Sequence, residues 1–162
     1  MGGVVDKKKR ITWCSVLVGF LVGGACFGLV WMAYLCPEKQ WWRGYWLLHP
    51  VCHQEPERCF QVNGLPWALC VRCVSIWLAL GIGHVVFVFW RPSFTWMRRG
   101  LFVSIGAMFL DVGLEWLGFY HNVAELRMLT GFLFGIFTAY FTLLGLLEIS
   151  SMLTSRSYSR HD

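Results

Sequence analysis

The sequence predicts an all-α membrane protein of four transmembrane helices with both termini cytoplasmic, and three observations lead there. Hydrophobic residues make up 57% of the chain and charged residues only 14%, against about 25% charge in an ordinary soluble domain. Four predominantly apolar runs, at 11–35, 65–90, 100–120 and 128–149, each reach the ~20 residues a helix needs to cross the hydrocarbon core. Lysines and arginines gather in alternate connections, which orients such helices. Residues 1–162 therefore read as a single four-helix membrane domain with an outer Cys/His-rich loop at 36–64.

The first run follows Lys7, Lys8, Lys9 and Arg10, a basic segment like that of a signal peptide. A signal peptide has an apolar core of about 7–15 residues and a small-residue cleavage site. This run is longer and ends in the bulky Trp31-Met32-Ala33-Tyr34-Leu35, so a retained span is expected. Arg91, Arg98 and Arg99 mark the middle connection, and Arg156 and Arg160 the tail, as cytoplasmic. In the 36–64 connection the basic residues are balanced by Glu38, Glu55 and Glu57, which places it on the extracytoplasmic side of the cell membrane. The formal charge of +5 is mostly this orientation signal and needs no nucleic-acid partner. The expected partners are membrane lipids.

Small residues recur at four-residue spacing in the first run (Gly19/Gly23, Gly24/Gly28) and the fourth (Gly131/Gly135/Ala139). Such rows allow close helix packing, within the chain or in a homo-oligomer. Trp41, Trp42, Trp46, Trp67, Trp90 and Trp96 fall near run ends, as an interfacial belt does. The stretch QWWRGYWLL at 40–48 reads as a short helix lying in the interface.

Cys14 and Cys26 lie inside the first run, where free cysteines are small hydrophobes. Cys36, Cys52, Cys59, Cys70 and Cys73 fall in the outer loop or the beginning of the second run. Cys70-x-x-Cys73 puts two sulfurs on one helical face, one turn apart. His49-x-x-Cys52, with His53 next, has the same spacing. The ensemble fits a split zinc site in which two ligand pairs close a tetrahedron, with Pro50 and Pro56 stiffening the loop. A second reading is redox. A CxxC at the outer end of the second of four spans looks like quinone-coupled disulfide-forming membrane proteins of the DsbB and vitamin K epoxide reductase kind. There Cys36, Cys52 or Cys59 would exchange with Cys70/Cys73. The third reading is a plain disulfide that staples the loop.

Ionisable groups within membrane spans are costly, and they pair, face the bundle interior and often mark a functional path. Arg72 stands between the two cysteines, with Glu55 or Glu57 as partners and a pull toward the thiolate form. Asp111 and Glu115 lie one turn apart on the third run, on a face that should point inward. They are expected to share a proton or, alternatively, to form an ion pair with Arg127 or Arg72. His84 reads as a histidine hydrogen-bonded to a neighbouring helix, with proton transfer as the alternative. His121 and Asn122 end the third run near the cysteines.

Taken together, CHQEPERCF, LPWALCVRC and a membrane aspartate followed by Asn122, Arg127, Thr130 and Gly131 resemble the small prokaryotic membrane proteins grouped as domain of unknown function two thousand and eighty-five. The matching positions run from Cys52, His53, Gln54, Pro56, Arg58 and Phe60 through Pro66, Cys70, Arg72, Cys73 and Asp111. Cys59 stands where that family has serine, Val74-Ser75 where it has Thr-Gly, and Glu115 where it has glutamine. The spacing from Asn122 to Arg127 is one residue longer. The resemblance implies the fold and the importance of Cys52, His53, Arg58, Cys70, Arg72 and Cys73, but no activity. It leaves His49 outside the pattern and selects Cys52, His53, Cys70 and Cys73 as metal ligands, a set suited to a closed structural zinc site. Arg58, Arg72, Asp111, Glu115 and Arg127 are the candidate catalytic groups beneath it. The alternatives are a thiol-disulfide oxidoreductase with a quinone acceptor, or an accessory membrane protein with a stapled loop.

Overall fold

The computed structural model describes residues 13–35, 46, 48–62, 64–120 and 123–158. Among the described residues four long helices carry the fold: α1 (Trp13–Leu35), α2 (Val71–Phe89), α3 (Phe94–Trp116) and α4 (Ala124–Tyr158). Between α1 and α2 come two short 3-10 turns, His49–Val51 and Pro56–Arg58, and a hairpin of β1 (Cys59–Val62) and β2 (Leu65–Cys70). The expected interfacial helix at 40–48 falls almost wholly outside the described residues, as do Cys36, His121 and Asn122.

The hairpin corrects the sequence reading of the second run. Residues 65–70 form a strand, not the start of a helix. Pro66 has no N–H and disfavours a helical residue before it. Asn63-Gly64 between two β-prone runs is a strong short hairpin signal, and it went unread beneath the hydropathy of the segment. Val62 stands opposite Leu65, and Gly64 has φ +76°, which a side chain would disfavour. Phe60 sits within a ladder irregularity between Cys59 and Gln61. Trp67 packs edge-on against both Phe60 and Tyr34 of α1, with ring centroids 5.4 Å apart in each pair. The hairpin is thereby tied to α1.

Helix α2 is the centre of the fold, packing on α4 on one side and α1 on the other, while α3 packs on α4. Gly131 and Gly135 of α4 meet the backbone of α2 closely; a Cβ at Gly135 would lie 2.5 Å from the Ile76 carbonyl oxygen. Gly19 and Gly23 do the same between α1 and α2, but a Cβ at Gly24 or Gly28 would meet nothing within 4 Å among the described residues.

Three helical segments, Val16–Leu35, Val71–Phe89 and Ala124–Ile149, are long and apolar enough to cross a membrane. Helix α3 is not among them, because its 23 residues include Arg98, Arg99, Asp111 and Glu115. It also starts earlier than expected, at Phe94, where the Ser93 side chain accepts the Trp96 N–H at 3.4 Å. Gly118, φ +78°, ends it, with the Phe119 N–H donating back to the Leu114 carbonyl at 3.0 Å.

A candidate three-thiol centre and its arginine network

The sulfurs of Cys52, Cys70 and Cys73 lie within 4.8 Å of one another. Each comes from a different local structure. Cys52 follows the 3-10 turn at His49–Val51 and is extended, φ −153° and ψ 139°. Cys70 ends β2 and is the extended residue that precedes α2; Cys73 lies in the first turn of α2. The two sulfurs of Cys70-x-x-Cys73 therefore do not sit on one helical face, as the sequence suggested. They converge across a strand-to-helix junction. The positive end of α2 lies beside them, an environment that favours thiolate.

The Cys52 sulfur accepts two backbone N–H groups, from Cys70 at 3.2 Å and Gln54 at 3.4 Å. To make the second, Gln54 adopts a left-handed backbone, φ 55°. Its side chain donates to the Ala68 carbonyl at 2.9 Å, which locks the loop against β2. Cys52 itself packs on Ala33, Leu48, Ala68, Leu69 and Val74. Hydrogen bonds from the Cys52 thiol and then the Cys73 thiol hold Cys70 far below the ordinary thiol range, at about 2, against the opposing effect of burial. The contact with Cys70 pushes Cys52 up. Thiols this close to one another have coupled proton equilibria. Among the described residues Cys52, Cys70 and Cys73 form no disulfide.

His53 does not join them. It is exposed and outside the group whose ligand atoms converge, although it lines the adjoining cleft. His49 lines the same cleft and stacks on Trp46. Cys59 stands opposite Cys70 in the ladder, but its thiol donates to the Glu55 carbonyl at 3.2 Å.

The cleft, about 390 Å³, is walled by the three cysteines and by Arg58, Arg72 and Arg127. Behind the arginines stand the carboxylates of α3. Arg72 pairs with Asp111, and Arg127 with Glu115. Arg58 lies 3.5 Å from Glu115 and 2.9 Å from Glu55. Asp111 also accepts the Tyr120 hydroxyl, and Thr130 approaches it at 3.4 Å. The face carrying Asp111 and Glu115 does point inward. Each carboxylate is paired with its own guanidinium, the ion-pair arrangement that was the alternative to a shared proton. Arg72 turns to Asp111 rather than to Glu55 or Glu57. Tyr120 was missed from sequence because the turn after α3 that folds it back depends on Gly118. Its hydrogen bond to Asp111 raises the phenol to about 12.

His84 is fully buried on α2, with Nδ1 2.8 Å from the Leu80 carbonyl and Nε2 3.1 Å from Thr142 of α4. It bonds to a neighbouring helix, deep in α2 and away from the thiols.

Residues 52–141 match the family described as "Predicted membrane protein (DUF2085)". An uncharacterised protein of Methanocaldococcus jannaschii is similar to this chain, 28% identical over 138 residues, which cover 80% of this chain and 88% of that protein. No solved structure matches.

Proposed function

The chain belongs to the predicted membrane protein family DUF2085, and from that premise we propose that it is a multi-pass membrane protein that binds zinc at its outer face through Cys52, Cys70 and Cys73. The observation that carries this is the convergence of the three sulfurs within 4.8 Å, with two backbone N–H groups on Cys52. Three thiolates around one tetrahedral zinc at about 2.3 Å would stand about 3.8 Å apart. A single disulfide needs only two sulfurs and leaves the third without a role. Three protein ligands and a cleft on their open side suit a zinc with an available fourth position better than a closed structural site. His53 and His49, on the cleft wall, are the nearest protein candidates for that position.

In this reading α3 is the fourth span. Asp111 and Glu115 enter the membrane only with Arg72, Arg127 and Arg58 as counter-charges. Both termini face the cytoplasm, and 36–64 lies outside. Arg58, Arg72 and Arg127 form the polar wall of the cleft, where they would bind and orient a substrate, and Asp111 and Glu115 behind them would hold the guanidiniums in place.

A second reading is favoured by one observation, the placement of Cys59 directly opposite Cys70. In a thiol-disulfide oxidoreductase, the Cys70 and Cys73 thiols would lose two electrons and two protons to a quinone, giving a disulfide and a quinol. Cys59 or Cys52 would then exchange with that disulfide.

Metal content and free thiols, assayed together on the full chain purified in detergent, separate the two. The expected result is one zinc per chain with reduced Cys52, Cys70 and Cys73. Zinc should be lost in Cys70→Ser and Cys52→Ser and retained in His53→Ala, at lower affinity. Metal-free protein with a reducible Cys70–Cys73 bond would overturn the zinc reading.

A further inference from the structure

The cleft beside the thiols has a second face that the metal reading does not use. We propose that this face binds an oxyanion of the phosphate class through Arg127, Arg72 and Arg58, independently of whether zinc occupies the cysteines.

Arg127 is the anchor. It is only 3% exposed, and its Nε is a buried donor with no acceptor. Arg72 repeats the pattern, with its Nε buried and unpartnered. In each, a terminal nitrogen is committed to a carboxylate, Glu115 or Asp111. A guanidinium carries five N–H donors in a rigid fork, so donors remain on residues that line the cleft. Leaving buried charged donors without acceptors is unfavourable. The Nε atoms themselves are closed to solvent, so an oxyanion in the cleft would be held by the other N–H donors of the same forks and would compensate the charge that the buried Nε leaves without an acceptor.

The charges are layered, which matters more here than their sum. Arg58, Arg72 and Arg127 are balanced by Glu55, Asp111 and Glu115, so the network is close to neutral. Yet Asp111 and Glu115 do not line the cleft, whereas all three arginines and two histidines do, with Glu55 as the one carboxylate among the described lining residues. A ligand in the cleft meets guanidinium first and carboxylate one layer farther away. The carboxylates act as positioning residues that fix the forks. Tyr120 and Thr130 in turn fix Asp111. Bidentate guanidinium forks match the oxygens of phosphate.

Depth points the same way. Arg72 is the second residue of the apolar segment Val71–Phe89, and Arg127 the fourth of Ala124–Ile149. Both therefore stand at the level where hydrocarbon gives way to headgroups. The phosphate is either that of a lipid headgroup or that of a small molecule entering from outside.

The test uses the full chain in phosphatidylcholine nanodiscs, read by thermal unfolding and native mass spectrometry. Inorganic phosphate is titrated against chloride at equal ionic strength; separately, phosphatidic acid is added to the lipid. Saturable stabilisation by phosphate identifies a free-phosphate site, and retention of phosphatidic acid over phosphatidylcholine identifies a headgroup site. Either supports the proposal. Arg58→Gln, which leaves both buried pairs intact, should weaken binding about 10-fold, and the charge-neutral pair Arg127→Gln with Glu115→Gln about 10- to 100-fold. Absence of any phosphate-specific stabilisation together with no lipid preference overturns the proposal. So does binding that is unchanged in both variants. Zinc content is measured on the same samples: zinc without oxyanion binding refutes this inference alone, and oxyanion binding without zinc refutes the metal reading alone.

Discussion

The two ends of the helix bundle are built on opposite principles. At the end away from the hairpin, Phe87, Val88, Met97, Ala139, Tyr140 and Leu143 form an apolar cluster. Phe87 and Tyr140 meet edge to face at 5.6 Å, and the Tyr140 hydroxyl donates to the Pro92 carbonyl at 3.3 Å. At the hairpin end, three thiols, three guanidiniums and two carboxylates occupy the corresponding space. In lipid, helices gain no hydrophobic driving force from meeting and associate through packing and hydrogen bonds. The apolar end needs nothing else. The polar end carries desolvation costs that its own ion pairs offset only in part. A chain selected for stability alone would have had little reason to keep it, and the contrast makes the hairpin end the place to test for function.

The largest effect expected is at that end. Arg72→Met leaves the carboxylate of Asp111 buried without its guanidinium and should cost about 3–5 kcal/mol, the usual penalty for breaking a buried pair from one side. Adding Asp111→Leu removes the stranded charge, and stability should return close to wild type while oxyanion binding stays lost. Reversible unfolding in mixed micelles measures both. If the single and double variants are equally unstable, the network is a structural clamp and the contrast between the ends disappears.

A smaller effect tests how the helices approach. Gly135→Leu drives a side chain into the Ile76 carbonyl and the Ala79 side chain of α2, and overpacking of this kind costs about 1–3 kcal/mol. Gly24→Leu, with nothing within 4 Å of a Cβ, should leave folding of the monomer unchanged. Should Gly24→Leu instead shift the protein from dimer to monomer in detergent, that row belongs to an interface between copies.

These glycines also mark what could be read from the sequence. Their spacing signalled close packing but not direction, so Gly19/Gly23 and Gly24/Gly28 looked alike although only the first row meets α2. Hydropathy located the apolar segments and read straight through Pro66 and Asn63-Gly64, which make a strand of residues 65–70. The spacing suggested a site shared by loop and span, and the resemblance to the family chose Cys52, His53, Cys70 and Cys73 for it; the three sulfurs do converge. His53 is exposed beside them, because adjacency in sequence does not fix which way the neighbour of an extended residue faces. Asp111, Glu115 and Arg72 were legible as charges within apolar runs, and Arg127 as a possible counter-charge just before the fourth. Who pairs with whom was not, because it depends on α3 and α2 both lying against α4.

The smallest expected effect is at Cys59. Its thiol donates to the Glu55 carbonyl at 3.2 Å, a bond that a serine hydroxyl also makes, and it lies outside the three converging sulfurs. Cys59 is buried, so Cys59→Ser should cost only about 1 kcal/mol, the centre of the range for single substitutions, and should leave zinc content unchanged. The redox reading requires otherwise if Cys59 is the exchanging thiol: in the variant the Cys70–Cys73 disulfide formed by the quinone would accumulate, because no Cys59 thiolate attacks it, and oxidation of the loop would stall. Thiol mapping by mass spectrometry after brief exposure to a quinone distinguishes the two outcomes. An inert Cys59 leaves the hairpin as scaffold for a metal centre, whereas a trapped disulfide makes the ladder pair Cys59 and Cys70 the working element of the hairpin end.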